Sequence, residues 1–266
     1  MSINLKNIRY LLIDLDGVLY RGDQILGGAA QWIEWLREQG IGFRLVTNNA
    51  TLTQSQYLTK LGGMGIQVRE DEVFTSSLAT ALYLERQGAV GQAAYVIGEA
   101  GVIEALRGIG MTVGTGEPEW VVVGLDRHVT YDKLADAALA IRAGATFVGT
   151  NPDTSFPTER GLLPGAGALQ AVLIAATGVQ PVVVGKPEPL MLQLAMASLG
   201  GAISNTAMLG DRLDTDILGA HRLRMSSILV LTGVSTREDV GQNDVRPDVV
   251  VDNLPDLMQQ WAEALG

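Results

Sequence analysis

The chain has 266 residues, 47% of them hydrophobic, which is enough to bury a substantial core in one large domain or two. Its 29 acidic residues outnumber 19 basic ones, and the formal charge of −10 opposes binding to nucleic acid or to an anionic membrane. The absence of cysteine excludes disulfides and thiolate chemistry. Because the N-terminus is too polar for a signal peptide and no apolar run approaches ~20 residues, we expect a soluble cytoplasmic protein.

Short apolar segments alternate with longer helical patterns, which is typical of β–α–β units around a mostly parallel sheet. The predicted strands cover residues 10–15, 42–47, 72–75, 94–97, 120–124, 146–149, 182–185, 206–209, 227–231 and 248–251. The predicted helices cover residues 29–39, a segment after Thr53, and residues 78–87, 131–142, 166–177 and 216–222. One sheet of typical width would not hold so many strands, so we predict a second domain at 78–183, inserted between 1–77 and 184–266.

Two aspartates, Asp14 and Asp16, lie at the end of the first predicted strand, where it opens into a glycine-containing loop. The strand is nearly continuously apolar, as is typical of a strand buried on both faces, and ligands in open α/β sheets bind outside the carboxyl ends of such strands. Carboxylates at i and i+2 can share a divalent cation there while one of them attacks an electrophile. Alone, such a pair is more often a turn or a helix cap.

Polar groups also follow other strands that we assign to the same sheet. Thr47 and Asn48 offer a hydroxyl and backbone amides that can hydrogen-bond a phosphoryl group. The ammonium of Lys186 can offset the negative charge on phosphoryl oxygens, which is the main catalytic task in phosphoryl transfer. These groups indicate a site for a phosphorylated ligand, in spite of the negative net charge of the chain.

A metal ion fits the same pattern. Asp211 follows the predicted strand at 206–209, and Asp216 comes five residues later. Asp14, Asp211 and the backbone carbonyl of Asp16 could give Mg²⁺ three oxygen ligands and leave positions for water and a phosphate oxygen. The sequence therefore predicts metal-assisted phosphoryl transfer.

Four motifs, in this order, resemble those of the haloacid dehalogenase (HAD) superfamily of phosphatases. They are Asp14-x-Asp16-Gly17-Val18, Thr47-Asn48, Gly185-Lys186-Pro187 and Gly210-Asp211-x-x-x-Thr215-Asp216. The resemblance is closest to the branch of NagD-like, p-nitrophenyl phosphatase and phosphoglycolate phosphatase enzymes, and stretches at 124–127, 150–153 and 161–167 are similar to their caps. It implies an α/β fold: a Rossmann-like, HAD-type core of parallel strands, with an α/β cap domain inserted between the second and third motifs.

The resemblance also implies a role for each matching residue. Asp14 would be the nucleophile that forms an aspartyl-phosphate, and Asp16 would be the general acid and then the general base. The implied substrate-binding residues are Gly17, Thr47, Asn48, Asn49 and Lys186. The implied ligands of Mg²⁺ are Asp14, Asp16 and Asp211, with Asp216 behind them contacting the metal waters or Lys186.

The substrate class expected from the resemblance is a small phosphorylated metabolite, with no nucleic-acid or membrane partner. Association of such caps into a homodimer is common in this family.

Two other classes of protein would use a similar site. Phospho-accepting signalling domains also combine acids, a threonine and a lysine, but they are shorter and have no inserted cap. A phosphotransferase such as a mutase would keep all the motifs, and so would a silent binder of phosphorylated ligands, although the complete catalytic set weighs against the silent binder.

Overall fold

The computed structural model describes residues 4–114, 116–158 and 160–265. The strands are β1 (Tyr10–Ile13), β2 (Tyr20–Arg21), β3 (Gln24–Ile25), β4 (Gly42–Thr47), β5 (Val73–Thr75), β6 (Ala93–Ile97), β7 (Thr112–Val113), β8 (Trp120–Val123), β9 (Thr146–Gly149), β10 (Ser155–Thr158), β11 (Gly161–Pro164), β12 (Val182–Val183), β13 (Thr206–Gly210), β14 (Ser226–Val230) and β15 (Val249–Val251). The α-helices are α1 (Ala29–Glu38), α2 (Gln54–Gly63), α3 (Ser76–Arg86), α4 (Ala100–Gly108), α5 (Tyr131–Arg142), α6 (Ala166–Thr177), α7 (Pro189–Ser198), α8 (Leu218–Leu223), α9 (Arg237–Gln242) and α10 (Leu254–Leu265). Within these residues, every helix is too short or too polar to span a bilayer.

The first of two compact units comprises the described residues up to Thr47, Ser55–Phe74, and those from Lys186 onward. Its sheet has the strand order β15-β14-β13-β1-β4-β5, and β1 lies between β13 and β4 with parallel pairing to both. The side chains of β1 after its first residue are completely buried, because helices cover both faces of a sheet of this kind. The predicted parallel-sheet α/β core is confirmed.

The second compact unit comprises Asn48–Gln54 and Thr75–Gly185. It has its own parallel sheet, in the order β12-β9-β8-β6-β7, with α5 and α6 packed on it. The segment Asn48–Gln54 is fastened within this unit by hydrogen bonds to its backbone. The hydroxyl of Ser77 donates to the carbonyl of Ala50 at 3.0 Å, and the amide of Gly101 donates to the carbonyl of Thr51 at 3.0 Å.

One strand assignment was wrong. Residues 182–185 were expected to form a buried strand of the sheet that carries Asp14, but β12 pairs with β9 at the edge of the second sheet, and Val182 is 40% exposed. A short apolar run has the same pattern in either sheet, so its sequence does not tell which neighbour it pairs with. Lys186 therefore follows an edge strand of the second unit, where the chain enters the first unit ahead of α7.

Candidate active site

Three aspartates meet at the carboxyl edge of the first unit's sheet. Asp14 follows β1, Asp211 follows β13, and Asp216 lies in a π-helical turn over Leu213–Ile217. One carboxylate oxygen from each lies within 4.8 Å of the other two. Asp211 and Asp216 are almost completely buried, and the side chain of Asp14 is 13% exposed. Asp14 and Asp211 are close because β1 and β13 are parallel neighbours and end at the same edge, and the π-helical turn that follows Asp211 carries Asp216.

Lys186 supplies the positive charge of this cluster. Its ammonium lies 2.5 Å from Oδ1 of Asp14 and 2.7 Å from Oδ1 of Asp216, and it is 2% exposed. Burial alone would lower the pKa of Lys186, but the carboxylates of Asp14 and Asp216 raise it above its ordinary value, so the amine stays charged. With all three carboxylates ionised, the cluster and the ammonium would together carry two net negative charges, which one divalent cation would balance.

The pKa values of the acids reflect the same excess of negative charge in the cluster. Burial raises the pKa of Asp14 well above its ordinary value, against the attraction of Lys186, and Asp216 and Asp211 raise it further. Burial and the neighbouring Asp216 raise the pKa of Asp211 to about 7, although the amide of Val234 lowers it. Both shifts arise from buried negative charge that lacks a sufficient cation, so a bound metal ion would favour the ionised forms.

One oxygen of Asp211 has no partner among the described residues. Its Oδ2 accepts a hydrogen bond from the amide of Val234 at 2.7 Å, while its Oδ1 is buried and accepts none. Leaving a buried carboxylate oxygen unsatisfied is costly, and hard cations such as Mg²⁺ take oxygen ligands of this kind. The set of Asp14, Asp211 and Asp216 could therefore hold a metal ion.

Asp16 differs from the clustered acids because its side chain is exposed to solvent. Partial burial still raises its pKa, although Lys60, a hydrogen bond from the backbone of Gly22, and Arg21 lower it. A carboxyl group with a raised pKa and access to solvent can release a proton and take one back. This position is suited to acid–base chemistry.

Gly17 makes the turn that follows Asp16. Its φ of +82° lies in the left-handed region, which a side chain would strain, and a Cβ there would also collide with the carboxylate of Asp211. Its amide donates to the carbonyl of Tyr20 at 2.7 Å, and its own carbonyl accepts from the hydroxyl of Thr232 at 2.6 Å. Glycine is therefore required for the close approach to Asp211, and its predicted contact with substrate stays a prediction.

Comparison with known proteins assigns the chain to a family. It matches two family models, described as haloacid dehalogenase-like hydrolase over residues 11–112 and HAD-hydrolase-like over residues 183–257. It is 46% identical over 260 residues to an acid sugar phosphatase of Staphylococcus aureus, covering 97% of this chain and 99% of that protein. The chain belongs to the haloacid dehalogenase superfamily.

Other relatives place this HAD chain among the phosphatases. It is 42% identical over 250 residues to the 5'-nucleotidase YutF of Bacillus subtilis, covering 94% of this chain and 97% of that protein. The 4-nitrophenylphosphatase of Thermotoga maritima superposes with a TM-score of 0.92 at 33% identity, covering 97% of this chain and 98% of that one. The predicted assignment to the NagD-like branch is confirmed, and the chain is an enzyme of the phosphoric monoester hydrolase class.

The HAD fold brings together Asp14, Lys186, Asp211 and Asp216, which are far apart in the sequence. Asp216 was expected to contact the metal waters or Lys186, and it holds Lys186 directly at 2.7 Å. The third acid of the cluster is Asp216, whereas Asp16 was expected to contribute its backbone carbonyl to the metal. That contribution of Asp16 stays a prediction.

The residues of the second HAD motif are divided between the two units. Thr47 is buried and ends β4, the strand beside β1. Asn48 begins the second unit, where its Nδ2 donates to both carboxylate oxygens of Asp153 at 3.1 and 3.3 Å. Oδ1 of Asn49 accepts from the amide and the hydroxyl of Thr51, each at 2.8 Å. The phosphoryl-binding roles of Thr47, Asn48 and Asn49 stay predictions.

Sequence reasoning missed the loop after β14, at residues 232–235. The amide of Val234 donates to the carboxylate of Asp211, and the amide of Ser235 donates to the carbonyl of Asp211 at 3.0 Å. A Cβ on Gly233 would collide with the side chain of Asp211. Its position was a clue to a functional role, because the loop follows a predicted buried strand at the same sheet edge. The loop contains no acidic or basic residue, however, that would identify it as part of a site.

Proposed function

We propose that this enzyme is a Mg²⁺-dependent phosphomonoesterase that works through an aspartyl-phosphate on Asp14. The observation that carries the proposal is the buried Lys186, which contacts Asp14 at 2.5 Å within a cluster of three buried acids whose carboxylate oxygens lie within 4.8 Å of one another. This arrangement holds a carboxylate ready to attack, beside a place for a divalent cation. The relatives named as phosphatases support the same reaction class.

In the proposed reaction, a carboxylate oxygen of Asp14 attacks the phosphorus of the bound ester as the ester P–O bond breaks. Asp16 gives its proton to the departing oxygen. Water then attacks the phosphorus of the aspartyl-phosphate and passes a proton to Asp16, and inorganic phosphate leaves as Asp14 is regenerated. The raised pKa of Asp16 suits both steps, since the residue must be protonated for the first and ionised for the second.

The residues around Asp14 prepare it for attack. Lys186 orients Asp14 and offsets the charge of the phosphoryl oxygens, while Asp216 fixes the ammonium by its 2.7 Å contact. Asp14, Asp211 and Asp216, with the carbonyl of Asp16, would hold Mg²⁺, which would supply positive charge for the phosphoryl oxygens. Thr47 and the backbone that follows it would bind the phosphoryl group.

The substrate is proposed to be a small phosphorylated metabolite of the cytoplasm. The names of two relatives, an acid sugar phosphatase and a 5'-nucleotidase, favour sugar phosphates and nucleoside monophosphates. A screen of phosphorylated metabolites for release of inorganic phosphate would rank these two classes. Equal and slow hydrolysis of all of them would argue against a dedicated metabolite phosphatase.

Removal of metal ions is expected to abolish hydrolysis of p-nitrophenyl phosphate, because Asp14 would then favour its protonated form, which is a poor nucleophile, and the phosphoryl group would lack a compensating cation. EDTA should stop the release of p-nitrophenol, and Mg²⁺ in excess should restore it. The same assay separates the alternatives. Many turnovers with release of inorganic phosphate support a phosphatase, one phosphorylation per chain without release indicates a signalling domain, and transfer to a second metabolite indicates a phosphotransferase. Full activity after EDTA treatment would contradict the proposed metal requirement.

The stability of the metal-free enzyme is expected to fall as pH rises from the ordinary carboxyl pKa of 3.8 towards about 7. Asp211 keeps its proton in the folded state over this range, whereas the unfolded chain has released it, so a rising pH favours unfolding. Mg²⁺ binds the ionised carboxylates, so its stabilising effect should grow over the same range. Melting temperatures measured with EDTA and with Mg²⁺ across this pH range check both trends, and a Mg²⁺ effect that is independent of pH would contradict them.

A further inference from the structure

Arg21 connects two parts of the first unit that flank the acidic cluster. It lies in β2, just after the turn that carries Asp16 and Gly17, and its Nη2 donates to the carbonyl of Thr232 at 2.5 Å and to that of Gly233 at 3.3 Å. Thr232 and Gly233 are more than 200 positions from Arg21 in the sequence. Both contacts are made by Nη2, which carries two N–H groups in the rigid plane of the guanidinium and can therefore donate to two adjacent carbonyls at once.

The loop to which Arg21 is hydrogen-bonded, residues 232–235, also positions Asp211. Val234 donates to the Asp211 carboxylate at 2.7 Å, and Ser235 donates to its carbonyl at 3.0 Å. The hydroxyl of Ser235 also accepts from the amide of Leu213 at 3.0 Å, which ties the loop to the start of the π-helical turn. With Oδ2 fixed in this way, Oδ1 of Asp211 is the oxygen left for a cation.

The same loop also holds the turn that follows Asp16. The hydroxyl of Thr232 donates to the carbonyl of Gly17 at 2.6 Å. The absence of a side chain at Gly17 and at Gly233 lets both backbones lie against Asp211. Loop 232–235 is therefore bonded both to the turn carrying the proposed acid–base residue and to a candidate metal ligand.

We propose that Arg21 is a positioning residue, which fixes Asp211 and the Asp16 turn relative to each other through loop 232–235. This inference rests on the proposed function and adds to it a residue that lies outside the four motifs. Groups that orient metal ligands contribute to metal affinity although they do not touch the metal. Because Arg21 is exposed, its substitution should leave the core packing intact.

The test compares Arg21→Met with Arg21→Lys. Binding of Mn²⁺ to the substrate-free enzyme is measured by electron paramagnetic resonance, and kcat and KM are measured with p-nitrophenyl phosphate. We expect Arg21→Met to weaken Mn²⁺ binding and to lower kcat by about tenfold each, with a smaller change in KM. Arg21→Lys should recover part of the loss, because its ammonium can also donate to a backbone carbonyl but lacks the planar, rigid shape of the guanidinium that orients these donors.

Arg246→Met is the matched control, since Arg246 is also exposed and donates to a backbone carbonyl, that of Gly241 at 3.4 Å. It should bind Mn²⁺ and turn over like the wild type. Hydrogen exchange of the Val234 amide in the metal-free protein tests, independently of catalysis, whether Arg21 stabilises the loop. Arg21→Met should accelerate this exchange.

Unchanged exchange at Val234, or unchanged Mn²⁺ affinity and kcat in Arg21→Met, would overturn the role of Arg21 and leave the proposed function intact. A wild-type enzyme that neither binds Mn²⁺ nor releases phosphate would instead contradict the proposed function, and the role of Arg21 with it. Loss of Mn²⁺ binding in Arg246→Met as well would show a general effect of removing surface arginines, and would also overturn the inference.

Discussion

Asp14→Asn is expected to lower kcat for p-nitrophenyl phosphate by at least about a thousandfold, because an amide cannot form the phosphorylated intermediate. The change conserves volume, and it removes a buried carboxyl group that is costly to ionise. The metal-free variant should therefore be as stable as the wild type or more so at neutral pH. Steady-state kinetics measures the first effect and thermal melting in EDTA measures the second.

Asp214→Asn is the matched control for this experiment. Asp214 belongs to the same acidic segment as Asp216, but its side chain is 67% exposed and pairs with Arg212 at 2.7 Å. An exposed ion pair of this kind contributes little, so kcat should stay within about twofold of the wild type. If Asp14→Asn kept activity close to that of the wild type, Asp14 could not be the nucleophile.

Lys186→Met is expected to impair both catalysis and folding. Removing one partner of a buried ion pair leaves uncompensated charge, which typically costs about 3–5 kcal/mol of unfolding free energy. Here Asp14 and Asp216 would both lose their contact with the ammonium. Catalysis should fall by about a hundredfold or more, since the cation that offsets phosphoryl charge is lost. Urea denaturation in EDTA and steady-state kinetics in excess Mg²⁺ measure the two losses.

The loss of stability in Lys186→Met should depend on pH. Burial favours the protonated form of Asp14, so acidic solution should restore part of the stability, and the deficit should grow as pH rises. The double variant Lys186→Met/Asp216→Asn removes one of the uncompensated charges, so it should regain stability without regaining activity. A single variant as stable as the wild type at all pH values would contradict the account of Lys186 as the counter-ion of these acids.

The parts of the site that could be predicted from sequence are those with a local signature. Asp14 and Asp211 each follow an apolar segment, and parallel strands place such positions at one edge of a sheet. Helices α5 and α6 have the predicted bounds, and in α5 the buried Ala137 and Ile141 lie at helical spacing. Lys186 was predicted from its motif, although the strand assigned before it belongs to the other sheet.

The parts that were not predicted depend on tertiary contacts or on weaker patterns. Arg21 and Thr232 are ordinary polar residues in sequence, and only the fold brings the guanidinium to the carbonyls of the distant loop. Helices α4, α7, α9 and α10 were not predicted. In α10, however, Leu254, Leu257 and Trp261 are buried at helical spacing, so a pattern was available. In α7 the apolar residues are spread around the helix, which hides the periodicity.

The attachment of Asn48–Gln54 to the second unit determines how the gene could be divided. A gene fragment for residues 75–185 would encode an incomplete module, because the Ser77 hydroxyl and the Gly101 amide would lose their acceptors in Ala50 and Thr51. Each buried polar group without a partner costs about 1–3 kcal/mol. An isolated second module should therefore also contain Asn48–Gln54, joined to residues 75–185 by a linker. In the chain these two pieces are separated by Ser55–Phe74, which belongs to the first unit.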